Sequence, residues 1–540
     1  MFSNKIIYIR DYTQVSDEDS AAGIREAIQT AVESGAERVV FEPGRYKLMS
    51  VERLQTEGMV HDAGSGNEQF KECHLTVNGS TGLTLQGAVD EYGHPATVLV
   101  GYNDGTIHGH LPAILWCEDN ERLALRNIAF TREPAFASAG VVIAHTEASI
   151  TVEVFAGNPC YEGMGTYCMN RLDPATGALI GESVTYGGGA DAAWKQVGER
   201  TLVLHSESVA AKVRLGEYLS WHQGAQTDFQ TYFARCDHLE LSNVRIMNAN
   251  GFAMLAESCR HIKADRVVFK PDGNRLFTAP RDAWKLFKCG GQIDISRMYV
   301  EGVRMDGQNI QSNWLFFQSR VAADEALFFG KYTFAELLPD SHIEFYNGEH
   351  MDKRVIADWT HEGKREGGHL YRIRFTQAIP DYTVQGSLCA ADCWEADSYV
   401  CVDSEFVNIA GAGHLVRNDH VTIKGCTYRN TMNPGILLGA ELPTHAEGGH
   451  ATNIHIEDCE FDHCGFYPRY GASGCIGIKS SGFEGKHNRH ITIIGNRFRN
   501  ASIGIHAIDA DDVTVKHNHY TNVDQMLVIQ PGVTGKIHVE

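Results

Sequence analysis

The chain has 540 residues, 43% hydrophobic and 21% charged, which excludes a small isolated module and leaves room for a large core with appended parts. With 68 acidic against 47 basic residues the formal net charge is -21, a field that repels polyanions, so no nucleic acid partner is expected. No window approaches the roughly 20 consecutive apolar residues of a membrane span, and the opening MFSNKIIYIRDYTQVSDEDS lacks the long apolar region and cleavage site of a secretory leader, so no membrane partner and a cytoplasmic location are expected.

In chain order, the first predicted element is a helix over 16–34, SDEDSAAGIREAIQTAVES. There Ile24, Ala27, Ile28, Ala31 and Val32 recur at helical spacing behind an acidic first turn, and Gly35 stops the run. The β-rich stretch ERVVFEPGRYKL follows, and a lone helix before so many short strands reads as a cap on the end of a β-architecture. Beyond it one theme recurs: HLELSNVRIMNAN from His238, HIKADRVVFKPDG from His261, QIDISRMYVEGV from Gln292, HVTIKGCTYRNT from His420, NIHIEDCEFDHC from Asn453, HITIIGNRFRNA from His490 and DVTVKHNHYTNV from Asp512. Each is a short alternating strand, a polar turn and a second short strand. The intervals, 23 from Leu239 to Ile262, 19 from Val402 to Val421 and 22 from Ile491 to Val513, suit one coil of a solenoid. A coil so short cannot bury its own apolar face and must stack on its neighbours. A sandwich or propeller would need turns that return each strand antiparallel, whereas this pattern repeats in one direction.

Two stretches break the rhythm with hairpin-like alternation, 132–215 and 330–388, and both read as small β-barrel insertions. The expected organisation is an N-terminal cap and first coils over 1–131, an inserted barrel over 132–215, central coils over 216–329, a second barrel over 330–388 and C-terminal coils over 389–540. The 14 Cys, scattered from Cys73 to Cys475, read as small buried hydrophobes rather than a disulfide framework. Cys389 and Cys393 in CAADC lack a second pair at zinc-ligand spacing.

Carbohydrate chemistry on a solenoid needs two carboxyl groups aimed at one groove. Asp282 in TAPRDAWKLF and Asp306 in EGVRMDGQN are 24 residues apart, close to one coil, so their backbones should sit about 5 Å apart at equivalent corners of adjacent turns. Two acids so placed repel, and one pKa should rise; the other meaning of either Asp is a turn cap. Trp284 offers an apolar face for a pyranose or packs in the core, and Asn309 bonds a sugar hydroxyl or caps a turn. IHGH, from Ile107 to His110, and Asp509, Asp511 and Asp512 in AIDADDV could be metal ligands, but turn residues account for them; no metal and no cofactor are expected.

From Leu123 onward five stretches resemble, in order and spacing, the exo-α-1,3-galactosidases of blood-group-B-cleaving type. They are RNIAFTREPAFASAGVV; GEYLSWHQ and FARC leading into HLELSNVRIMNANGF; PRDAWKLFKCGGQIDISRMYVEGVRMDGQN; LPDSHIEFYNGE; and NPGILLGAELPTHAEGGHATNIHIEDCEF. The resemblance implies an all-β fold, a right-handed parallel β-helix of pectate-lyase-like form with two barrel insertions, and inverting hydrolysis. It makes Asp282 the proton donor and Asp306 a water-activating base, while Met305 stands where that family has a further acid. It also places His222, Asn309 and Glu447 at substrate-binding positions, Glu447 being the candidate for a third carboxylate.

The expected activity is therefore removal of a terminal sugar, α-1,3-linked galactose on the resemblance, from an oligosaccharide substrate. Three alternatives remain, the first being a glycosidase of different sugar specificity. A uronate lyase or epimerase would use Arg281 and Arg304 to neutralise a carboxylate, and a non-catalytic solenoid would bind sugar without turnover. A homo-oligomer is a further expectation, because the solenoid end opposite the helix needs a cover.

Overall fold

The computed structural model describes residues 5–55, 70–103, 111–186, 189–190, 192–224, 229–347, 350–442, 445–482, 487–530 and 535–540; IHGH falls outside them. The repeat folds because each coil turns where left-handed backbone is tolerated. His238, His261, His420, Asn453, His490 and Asp512 open their strands at φ of 52–57°, and Asn243, Arg266 and Asp458 turn the chain again at 53–54°. His, Asn and Asp are the side-chain-bearing residues most at ease there. Between corners, strands pair in parallel with the next coil at constant register, as in Leu239↔Ile262 and Ile491↔Val513. Val421 pairs with Tyr399, not Val402, so that coil too advances by 22 residues.

The result is a right-handed parallel β-helix in which, among the described residues, 33 strands form one continuous system with a core running along it. Stacking is uniform enough to align rings: Phe406, Tyr428, Phe461, Phe498 and Tyr520 lie face to face with centroids 4.9–5.1 Å apart, the spacing of adjacent strands. The opening helix is Ala21–Ser34. Ile24, Ala27, Ile28 and Ala31 seal the first coils, and Gly35 ends it at φ 64°. The predicted acidic turn lies before it instead, where the Asp19 carboxylate accepts the N–H groups of Ala21, Met49 and Ser50 and ties the helix to the segment that follows the strand Gly44–Leu48.

Both interruptions carry antiparallel sheets with cores of their own. The second is a closed barrel of Leu315–Ala322, Glu325–Lys331, Gly368–Phe375, His350–Arg365, His342–Asn347 and Leu388–Ala391, in that spatial order. It begins at Leu315 rather than 330, because Leu315–Ala322 pairs with Glu325–Lys331 and Leu388–Ala391 and with no coil; its alternation looks like that of a solenoid strand until its partner is known. Among the described residues the first insertion is an open order of seven strands rather than a ring, and it runs on past 215 through Tyr218–His222.

Candidate active site

One ladder of the solenoid runs Phe252–Glu257, Trp284–Phe287, Gln308–Asn313, His414–Val416, Ile436–Leu438 and Ile476–Ile478. Asp282 and Asp306 occupy the corners that lead into its second and third strands. Trp284 pairs with Gln308, and the Ala283 N–H donates to the Asp306 carbonyl at 2.9 Å, so the two acids are equivalent positions of adjacent coils. The Asp306 backbone N–H donates to Asp282 Oδ1 at 3.3 Å, and Asn309 Nδ2 donates to Asp282 Oδ2 at 3.1 Å. Asp306 Oδ1 accepts the N–H of Ala412 from the following coil at 2.8 Å. Gly411 is required there, since a β-carbon on it would fall 2.5 Å from Asp306 Oδ1.

Both acids line a cavity of about 740 Å³, which extends along the ladder and is bordered by the two insertions. Phe252, Tyr186, Tyr332 and Tyr470 supply ring surface; Arg281, Lys285, Arg417, Arg469 and Lys479 supply positive charge. The acids are 4% and 5% exposed, and burial is the largest force on each carboxyl. For Asp282 the nearby Lys285 and Arg281 and the Asn309 amide oppose it, and the net displacement is upward. For Asp306 the charge of Asp282 adds to burial and pushes the carboxyl up to about 8 against the Ala412 N–H and Arg417. Burial and the proximity of the two carboxyls thus favour retention of a proton by the pair, and the added charge of Asp282 favours Asp306 as its holder.

Glu447 reaches the same cavity from the short strand Glu447–Gly448, which pairs antiparallel with Ser312 and Asn313. Burial alone would raise its pKa, but Arg417, Lys285 and the Gln311 amide hold it down at about 2. Arg417 Nη1 bonds Glu447 Oε2, Lys285 Nζ lies 3.7 Å from Oε1, and Gln311 Nε2 donates to Oε1 at 3.0 Å. Glu447 is thus a fixed anion that positions two cations, not a proton donor.

The structure brings Asp282, Asp306, Asn309 and Glu447 together and separates Trp284 and His222 from them. Trp284 is 0% exposed and turned into the solenoid core, because successive strand residues point to opposite faces and its neighbour Lys285 faces the cavity. His222 is buried within the first insertion, stacked on Phe277 with centroids 5.7 Å apart and with Nδ1 2.7 Å from the Gly224 carbonyl. Arg304 lies beneath that insertion, donating to Ser220 Oγ and the Leu276 carbonyl, so of the two arginines considered for a uronate only Arg281 faces the cavity. Arg417, Tyr186 and Tyr470 carried no signal in sequence: they arrive from other coils or from the first insertion, more than a hundred residues from Asp306 along the chain.

Among the described residues one group, Asp237, His238 and His261 at an outer corner, brings three potential metal-ligand atoms within 4.8 Å of one another. Asp511 and Asp512 do not converge with Asp509: Asp511 Oδ1 accepts the N–H of Lys536, and Asp512 pairs with His490 at 2.7 Å. Asp509 is buried, not solvated, and its carboxyl is pushed up to about 6 by that burial. All 14 Cys are free thiols; Cys389 sits in the barrel core.

Residues 383–536 match the model of the right handed beta helix region. A curated alpha-1,3-galactosidase B of Bacteroides fragilis is 25% identical over 315 residues, 56% of this chain and 47% of that protein, so the chain spans about half the length of this relative. Among solved structures, the mannuronan C-5 epimerase AlgE4 A-module of Azotobacter vinelandii superposes at TM-score 0.43 with 10% identity, covering 98% of this chain and 99% of that one. An exopolygalacturonase of Thermotoga maritima does so at TM-score 0.42 with 8% identity, covering 100% and 93%.

Proposed function

We propose that this chain is a carbohydrate-active glycoside hydrolase that removes a terminal sugar, α-1,3-linked galactose, from an oligosaccharide with inversion, using Asp306 as its acid and Asp282 as its base. The observation that carries the reading is the pair itself: two buried carboxyls from adjacent coils, linked through the Asp306 N–H and opening on one ring-lined cavity. The similarity to alpha-1,3-galactosidase B supports the sugar and linkage.

The proton on Asp306 passes to the glycosidic oxygen as the bond from the anomeric carbon to that oxygen breaks. Asp282, whose carboxylate form Lys285, Arg281 and the Asn309 amide favour against its burial, takes a proton from the water whose oxygen bonds to the anomeric carbon from the opposite face. These roles are the reverse of those implied by the family resemblance; burial and the neighbouring charge favour Asp306 as donor, and leaving-group dependence separates the two assignments. Neither acid needs to move far, since backbone N–H groups hold both.

The test is incubation with a panel of α-galactosyl, α-N-acetylgalactosaminyl and other oligosaccharides, with the anomer of the product followed by NMR. Release of one sugar from the non-reducing end, absent in Asp282→Asn and Asp306→Asn, is the expected result. Absence of hydrolysis over the whole panel, or full turnover of a natural glycoside by either variant, overturns it.

A further inference from the structure

We propose that Arg469 and Lys479 form an anion subsite in the same cavity, selecting glycans that carry a carboxylate or sulfate close to the bond cleaved. This rests on the hydrolase reading for its link to turnover but not for binding. The first observation is a charge contrast: within a chain of net charge -21, five cations face the cavity, against the acids Asp282, Asp306, Glu441 and Glu447, of which Asp306 is protonated near neutrality. Lys285 and Arg417 are committed to Glu447. Arg469 and Lys479 take part in no ion pair among the described residues, and Arg469 Nη1 is buried there with no hydrogen-bond acceptor. A guanidinium N–H left so is costly unless an anion completes it.

Their placement is built rather than incidental. The backbone N–H groups of Arg469 and Tyr470 donate to Asn433 Oδ1 at 2.7 and 3.2 Å, pinning the loop to the solenoid, and the Arg469 guanidinium carbon lies 3.7 Å from the centre of the Tyr186 ring. The Tyr186 hydroxyl meets that of Tyr470 at 3.1 Å, and both phenols lie within electrostatic reach of Asp306. Lys479 follows the strand Ile476–Ile478, and its ammonium lies against the same loop: a β-carbon on Gly471 would fall 2.1 Å from Nζ. Gln311, Arg417, Gly439 and Lys479 are successive positions of one ladder, so Lys479 is rooted three strand spacings, about 14 Å, from the coil of Asp306. The loop bearing Arg469 leans back across that interval towards the acids. A short oligosaccharide with its terminal bond at the acid pair spans the gap, and an acidic substituent on it meets both cations.

The experiment titrates the protein with galactose, galacturonate and galactose 6-sulfate by calorimetry at low and high salt. In parallel, hydrolysis is compared on neutral and acid-bearing α-galactosides. At least one acidic sugar is expected to bind about tenfold or more tighter than galactose, with the margin shrinking in salt. Which of the two binds tighter identifies carboxylate or sulfate as the group recognised. Arg469→Gln and Lys479→Gln are each expected to remove most of the margin, while Arg469→Lys, which keeps the charge and tests for misfolding, retains part of it. Acidic sugars that bind no tighter than galactose, or a margin that survives both Gln substitutions, overturn the subsite. Cleavage of neutral glycosides without acidic preference would do so while leaving the hydrolase standing; acidic preference in binding with no cleavage of any glycan would leave the subsite standing and remove the hydrolase.

Discussion

Replacing Asp306 by Asn should stabilise the protein, and more so as pH rises. In the folded chain its carboxyl is pushed from 3.8 up to about 8, chiefly by burial and then by the charge of Asp282. Because the folded pKa is the higher one, the folded state holds this proton more tightly. Its stabilising effect is complete below pH 3.8 and is lost progressively as pH rises towards 8. At about 1.4 kcal/mol per pKa unit, ionising Asp306 costs the folded state up to about 6 kcal/mol above pH 8 and about 4 kcal/mol at pH 7, as upper bounds that relaxation and water entry reduce. Asn removes this ionisation, and its amide oxygen can still accept the Ala412 N–H that Asp306 Oδ1 takes at 2.8 Å. Thermal unfolding of wild type and Asp306→Asn, followed by tryptophan fluorescence at pH 4, 7 and 9, should show near-equal midpoints at pH 4 and a growing advantage for the variant at 7 and 9. A variant less stable than wild type at pH 9 would refute the buried, proton-sharing pair.

The same proton sets the catalytic profile: kcat/KM should fall on the alkaline side with an apparent pKa near 8, and Asp306→Asn should abolish that limb. On natural glycosides either Asn variant should lose about 10²–10⁴-fold in kcat. An activated aryl leaving group should restore Asp306→Asn but not Asp282→Asn, and the opposite pattern would return the donor role to Asp282. Glu447→Gln should leave Arg417 and Lys285 buried without their anion and lower stability by about 3–5 kcal/mol, measured by urea titration; no loss would show that the network contributes nothing. Trp284→Ala should cost about 3–5 kcal/mol of stability through a core cavity, whereas Phe252→Ala, at the cavity wall, should raise KM; a Trp284 variant that folds normally yet loses sugar affinity would put that ring at the substrate after all.

How much of this was legible in sequence depended on whether the signal was local. His238, His261, His420 and His490 announce coil corners because a single residue's backbone preference opens each strand. The interval of 24 residues placed Asp282 and Asp306 on neighbouring coils, because parallel stacking turns a sequence period into a distance. The helix Ala21–Ser34 was legible from periodicity, but its acidic entry was not, since Asp19 is used to bind Met49 and Ser50, residues of another element.

Sequence alone thus determined the solenoid and the neighbouring placement of Asp282 and Asp306, consequences of repeats shorter than about 30 residues, together with the cap helix from its own periodicity and the presence of two interruptions from where the repeat breaks. Tertiary structure alone decided which face each ring took and who paired with whom. It turned Trp284 inward, buried His222 within the first insertion and Arg304 beneath it, assigned Leu315–Ala322 to the barrel, and brought Arg417, Tyr186, Arg469 and Tyr470 to the cavity of Asp306 from distant segments. The physical reason is that a repeat encodes contacts between one coil and the next through identical local rules. A wall assembled from insertions and distant coils depends on a fold already formed, and no spacing along the chain records it.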